Sequence, residues 1–227
     1  MGVTDRYSSL SDMPKALPLF PLRGAILLPR ATLTLNVFEP RYLALVDHAL
    51  GKDRLIGIIQ PAQDAGQAES PKGNNFPLRH VGSAGRIAAF TEGDDGRVMI
   101  SLAGVARFRL LGEVDAREPF RISGVDFAPY ATDLVSGHGE DEVDRPRLIA
   151  ALRSYLHANR LNADWDRINS ASNERLVNAL SIMSPYGPEE KQALLEAPDL
   201  KARADTLVAL AEMELAATDD GPGTTLQ

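Results

Sequence analysis

Leu17-Pro-Leu-Phe-Pro-Leu-Arg-Gly-Ala-Ile-Leu-Leu-Pro-Arg30, running on through Leu33-Thr-Leu-Asn-Val-Phe-Glu-Pro-Arg-Tyr42, is the stretch that decides the fold. It is mostly apolar, yet Pro18, Pro21, Pro29 and Pro40 fall within it. Proline fixes φ and has no N–H to donate, so the run predicts short edge strands joined by rigid corners, not a central strand or a long helix. From Ala31 to Phe38 the sequence alternates: Ala31, Leu33, Leu35 and Val37 on one side, Thr32, Thr34 and Asn36 on the other. That is the period of a half-buried strand. Glu39-Pro40 then opens a helix, with proline pre-set for the first turn and a carboxylate at the positive end of the dipole. Leu43, Val46 and Leu50 give this helix its apolar stripe, and Gly51 is expected as its left-handed terminator.

Working outward, Leu55–Gln60 reads as a short buried strand closed by Pro61, and 62–77 as a long loop. Val81–Phe90, a tight turn over Glu92–Arg97 and Val98–Leu102 form a hairpin signal. Gly104 is expected to break or bulge the pairing. In the following segment Val105, Arg107 and Arg109 oppose Ala106, Phe108 and Leu110, which predicts one cored and one wet face. Phe120–Phe127 is a last strand with a bulge near Gly124. Residues 133–144, with five acids and two glycines, read as an interdomain linker. Beyond it the pattern is helical. Asp144 caps a first helix, Asn173–Met183 is a second, Pro188–Glu196 a third, and Asp199 caps the longest, Leu200–Ala217. Trp165 falls between helices as a docking or partner residue. The resulting expectation is an α+β protein, with a β-rich subdomain over 15–130, a helical bundle over 145–217, and flexible tails at 1–14 and 218–227.

At 227 residues and 44% hydrophobic composition, with mean hydropathy −0.15, the chain is long enough to bury a sizeable core. It has no cysteine, which removes disulfides, thiolate nucleophiles and Cys-ligated metals and makes a reducing, cytoplasmic setting the simple expectation. Residues 1–130 carry 15 Lys/Arg against 14 Asp/Glu, whereas 131–227 carry 9 against 17. The acidic half repels phosphate backbones, so nucleic acid is disfavoured there. No apolar run approaches a membrane span.

Several chemical readings fail on spacing. Gly82-Ser-Ala-Gly-Arg86 lacks the Gly-Lys-Ser/Thr of a phosphate loop and the third glycine of a dinucleotide fingerprint. His48, His80, His138 and His157 show no metal-ligand spacing, and no metal or cofactor is expected. No Gly-x-Ser-x-Gly elbow exists, and Ser83 is a poor nucleophile candidate.

The order and spacing of several pieces are similar to the N-terminal, substrate-binding domain of ATP-dependent Lon proteases, and especially to free-standing bacterial proteins built from that domain. They are Leu17–Arg23, Pro29, Phe38–Tyr42, Val81–Ile87, Gly104–Arg109 and Glu190–Glu196. The resemblance covers roughly 15–215. It implies a PUA-like pseudo-barrel followed by a helical bundle. It also implies non-catalytic recognition of unfolded or exposed apolar polypeptide segments, as an adaptor or regulator of a separate protease or chaperone. Lon proteases keep their ATPase and serine–lysine dyad in later domains, so neither activity carries over. Arg23, Glu39, Arg41 and Tyr42 are the candidate substrate-binding residues. The plainer reading of the motif is that Glu39 caps the helix, Arg41 pairs with an acid and Tyr42 packs. A groove between sheet and bundle, or a sheet edge accepting an extended segment, would be the physical means. Two other classes stay open. A continuous stripe of Arg79, Arg86, Arg107, Arg109 and Arg121 would favour an RNA- or small-ligand-binding module, and a perturbed acid pair or a histidine in a cleft would favour an enzyme.

Overall fold

A computed structural model describes residues 4, 6–62, 76–115 and 117–219. The expected loop thus lies outside the described residues over 63–75, as do parts of both expected tails. The chain divides into two compact units, 1–136 with 185–195, and 137–184 with 196–227.

The first unit is built on six strands, β1 (Ala16–Pro21), β2 (Thr32–Val37), β3 (Leu55–Pro61), β4 (Leu78–Glu92), β5 (Val98–Glu113) and β6 (Arg121–Asp126). Their order is β2-β5-β4-β3-β1-β6, and β6 also pairs with β5, so the sheet closes into a barrel with β2 attached outside the closed ring. Only β1 and β3 run parallel. The expected hairpin forms, its turn closed by Gly93 N donating to Arg97 O (2.8 Å). β5 continues through Gly104 as one strand of 16 residues; its register shifts beside Gly104, as expected, and again between Leu110 and Gly112, so that the bulge expected in the last strand at Gly124 lies instead on β5 opposite it. A Cβ on Gly104 would lie 1.9 Å from Leu28 O, so the chain before β2 crosses β5 at backbone contact.

The proline-rich opening is not an edge. β1 has neighbours on both sides, β6 along 16–19 and β3 along 19–21. Leu22 N donates to Ile59 O and Lys15 O accepts from Val125 N, so even-numbered positions face β3 and odd-numbered ones β6. Pro18 therefore aims its nitrogen at β3 before that pairing begins, and Pro21 aims its own at β6 after that pairing has ended. The staggered neighbours let two prolines sit inside a barrel without forfeiting a ladder bond.

Two cores result. One contains Leu17, Leu19, Ile59, Val105, Phe108 and Phe127. The Phe108 ring takes space that a Cβ on Gly82 would occupy, at 2.6 Å, which is why this strand carries glycine. Residues 6–14, expected to be loosely ordered, contribute Tyr7 and Met13 to this core. The other core packs helix α1 (Pro40–Leu50) on Phe20, Ile56, Ile58, Ile87, Ile100 and Leu102. The buried face of α1 is Tyr42, Leu45, Val46 and Ala49, with Leu43 and Leu50 only half-buried beside it. The expected stripe is thus rotated by about one position. The cause is Tyr42, whose ring stacks on Phe20 with centroids 4.1 Å apart. Gly51 has right-handed φ (−74°), and the left-handed residue of this turn is Arg54 (φ 60°), whose N–H donates to Ala49 O.

In the second unit, α2 (Arg145–Ala158), α3 (Trp165–Ser170) and α4 (Asn173–Met183) are capped by Asp144, Asp164 and Ser172. Asp199 caps α6 (Leu200–Asp219), accepting from Ala202 N at 2.7 Å. Trp165 opens a short helix where the sequence reading had only a connection, and Arg153 lies 3.9 Å over its ring. The segment read as a linker is tied down, since Glu174 N donates to Glu140 Oε1 and Gly137 N to Glu174 Oε2. Helix α5 (Pro188–Glu196), read as a bundle member, belongs through Leu195 to the first unit. Gln60 donates to Pro188 O and Gln192 Oε1, and Gln192 donates to Val81 O, which holds α5 against β3 and β4.

Candidate functional site

β2 is the strand outside the closed ring, and among the described residues only β5 pairs with it. Gly104 N donates to Ala31 O (2.8 Å), which places odd-numbered positions of β2 in hydrogen-bonded pairs with β5. The even-numbered residues Thr32, Thr34 and Asn36 therefore turn their backbone N–H and C=O groups outward.

Along this edge runs a cleft of about 340 Å³, lined by residues 34–39 of β2 and the following turn, by Phe20 and Leu22 at the end of β1, and by Tyr42 on α1. Its floor is apolar, from Phe20, Leu22, Leu35 and Val37. Its rim is polar, from Thr34, Asn36 and Glu39. Phe38 projects at the mouth with 62% of its surface exposed. An unpaired strand edge beside an apolar cleft is the combination that accepts an extended peptide as an added strand, with main-chain bonds for affinity and alternate side chains in the cleft.

Three of the four residues singled out from sequence meet here. Arg41 donates from Nε and Nη2 to Glu39 Oε2 (3.1 and 2.9 Å), and its guanidinium lies 4.5 Å over the Tyr42 ring. Glu39 occupies the N-cap position of α1, but its side chain makes no capping hydrogen bond. The first turn is closed by its backbone carbonyl, which accepts from Tyr42 N and Leu43 N. So the plainer expectation holds for Arg41 and Tyr42 and does not hold for Glu39. Arg23 sits half-buried in the turn after β1 and does not line the cleft.

The sequence matches the family model described as the ATP-dependent protease La (LON) substrate-binding domain over residues 16–212. The chain belongs to the LON substrate-binding domain family. It is 28% identical to Lon protease 2 of Myxococcus xanthus over 88% of this chain and 24% of that protein. It is 25% identical to Lon protease of Escherichia coli K12 over 88% of this chain and 25% of that protein. The chain thus spans about a quarter of the length of these relatives. Among solved structures, a Lon N-terminal domain protein from Xanthomonas campestris matches with TM-score 0.57 and 25% identity, over 86% of this chain and 98% of that one. The N-terminal domain of Mycobacterium avium complex Lon protease matches in fold, with TM-score 0.61 and 15% identity over 87% and 98%.

In this LON substrate-binding domain four of the five arginines proposed as a stripe are paired with carboxylates. Arg79 pairs with Glu189, Arg109 with Asp126 (2.6 Å) and Arg121 with Glu113. Arg107, expected on the wet face of β5, is only 2% exposed. Its Nε and Nη2 donate to the two oxygens of Asp133 (2.9 and 2.8 Å), its backbone N also donates to Asp133, and Nη1 donates to Leu195 O. The 3₁₀ segment over 128–134 and α5 cover this part of the barrel wall. Asp133, read as the first linker residue, is thereby part of the first unit.

His48, read as a surface residue, has a half-buried ring that lies edge-on to Phe120 and 3.5 Å from Glu118. Among the described residues no group of three or more His, Cys, Asp and Glu side chains could hold a metal ion, and no helix is long and apolar enough to cross a membrane.

Proposed function

We propose that this domain recognises unfolded polypeptide by strand addition: an extended segment pairs with the outward edge of β2 and places alternate apolar side chains in the adjoining cleft. The observation that carries this reading is the juxtaposition of the outward backbone groups of Thr32, Thr34 and Asn36 with the apolar floor of Phe20, Leu22 and Leu35. Family membership supports a substrate-recognition module. On this reading the domain is non-catalytic and cytoplasmic, and delivers or regulates clients for a separate protease or chaperone. At about 3.3 Å per residue, the six residues of β2 accommodate a segment of about six residues.

Thr34→Pro tests this. Proline on an edge strand with its nitrogen toward solvent leaves the ladder to β5 intact but removes a donor and blocks an added strand. Binding of a reduced, carboxymethylated, permanently unfolded protein should weaken by more than about fivefold, with little change in thermal midpoint. Unchanged binding by a folded Thr34→Pro protein would exclude the β2 edge.

A further inference from the structure

The cleft has an apolar floor and a polar rim, and among the described residues lining it Glu39 alone carries a carboxylate. Its carboxylate is not used as a helix cap, both bonds from Arg41 fall on Oε2, and its side chain is 33% exposed. Oε1 accepts neither of these bonds, so the carboxylate keeps acceptor capacity at the cleft that Glu39 lines. Resting on the strand-addition reading above, we propose that Glu39 sets the chemistry of the preferred client: an extended segment alternating apolar residues, with one lysine or arginine at the position meeting the Glu39 end of β2.

The physical reason is complementarity to the one carboxylate among the described lining residues, which Arg41 pairs with from beside the cleft. A peptide cation there gains a carboxylate partner, a peptide acid meets like charge, and a neutral side chain gains only apolar contact. Arg41 moderates the effect by half-neutralising the same carboxylate. It is a positioning residue, since it does not line the cleft and acts through Glu39.

The test uses fluorescent eight-residue peptides of alternating valine and serine, with one scanned position carrying lysine, norleucine or glutamate. Fluorescence anisotropy reads the ratio of norleucine to lysine dissociation constants for each protein. A partly exposed ion pair predicts a ratio of about two to five at low salt in the parent, falling toward one at high salt. Glu39→Gln should bring the ratio to about one, whereas Arg41→Met, which leaves the carboxylate uncompensated, should raise it. A merely structural ion pair would move both variants in the same direction. Equal affinities for all peptides in the parent, with each still lost in Thr34→Pro, would overturn the role of Glu39 and leave strand addition standing. No peptide binding by the parent would overturn both.

Discussion

Removing the Asp133 carboxylate should be among the most damaging single changes in the first unit. In Asp133→Ala the Arg107 guanidinium remains in place, with its side chain 3% exposed, and loses both charge-assisted hydrogen bonds to the carboxylate, while its backbone N loses a third; the bond to Leu195 O and the contact with the Tyr130 ring 4.6 Å away remain. Leaving one partner of a buried pair uncompensated costs about 3–5 kcal/mol. For a chain of this length that corresponds to a fall of about 6–20 °C in thermal midpoint. Urea denaturation followed by tryptophan-independent far-UV circular dichroism should show a lower midpoint at unchanged slope. The sign of the companion variant separates charge from packing. Combining Arg107→Met with Asp133→Leu removes both charges at similar volume, so the double variant should be more stable than Asp133→Ala alone. It should not regain the parent's stability fully, because Leu195 O loses its donor. A cost below about 1 kcal/mol for Asp133→Ala, or a double variant worse than the single, would refute the view that this pair satisfies a charge buried by the 128–134 segment and α5.

Leu45, fully buried on the inner face of α1, should cost about 2–5 kcal/mol when truncated to alanine, whereas half-buried Leu43 should cost about 1 kcal/mol; equal losses in chemical denaturation would contradict the observed rotation of the helix. Burial lowers the Lys191 pKa from 10.5 to about 8, so between about pH 8 and 10.5 the unfolded chain holds a proton that the folded one has released, and stability rises with pH. Lys191→Met should flatten that rise in urea midpoints measured across this window, and an unaltered pH profile would show that the ammonium is not desolvated as described.

Much of this fold is written locally. Pro40 at the first turn and Glu39 before it mark the start of α1, the leucine–threonine alternation over 32–37 marks β2, and Asp144, Ser172 and Asp199 mark helix starts in the second unit. Each works through bonds or side-chain periodicity within a few residues, so each is legible without a tertiary structure. The resemblance to the Lon substrate-binding domain, carried by the opening stretch and Phe38–Tyr42, held for the same reason: its motifs are turns, caps and strand starts.

What the tertiary structure alone decided depends on neighbours distant in sequence. Pro18 and Pro21 lie inside a barrel because β3 and β6 pair with β1 over staggered ranges, which no property of residues 16–21 reveals. Tyr42 turns α1 by a position because Phe20 waits beneath it. Arg107 alternates like a solvent-facing strand residue, and only the return of Asp133 and α5 to the barrel wall buries and pairs it. The candidate site shares this character: Glu39 and Tyr42 are near neighbours in sequence, but the cleft they line exists because β2 lies outside the ring, leaving one edge beside the end of β1. Closure of a sheet, and which strand it leaves out, is a property of long-range register, which a short stretch of sequence does not encode.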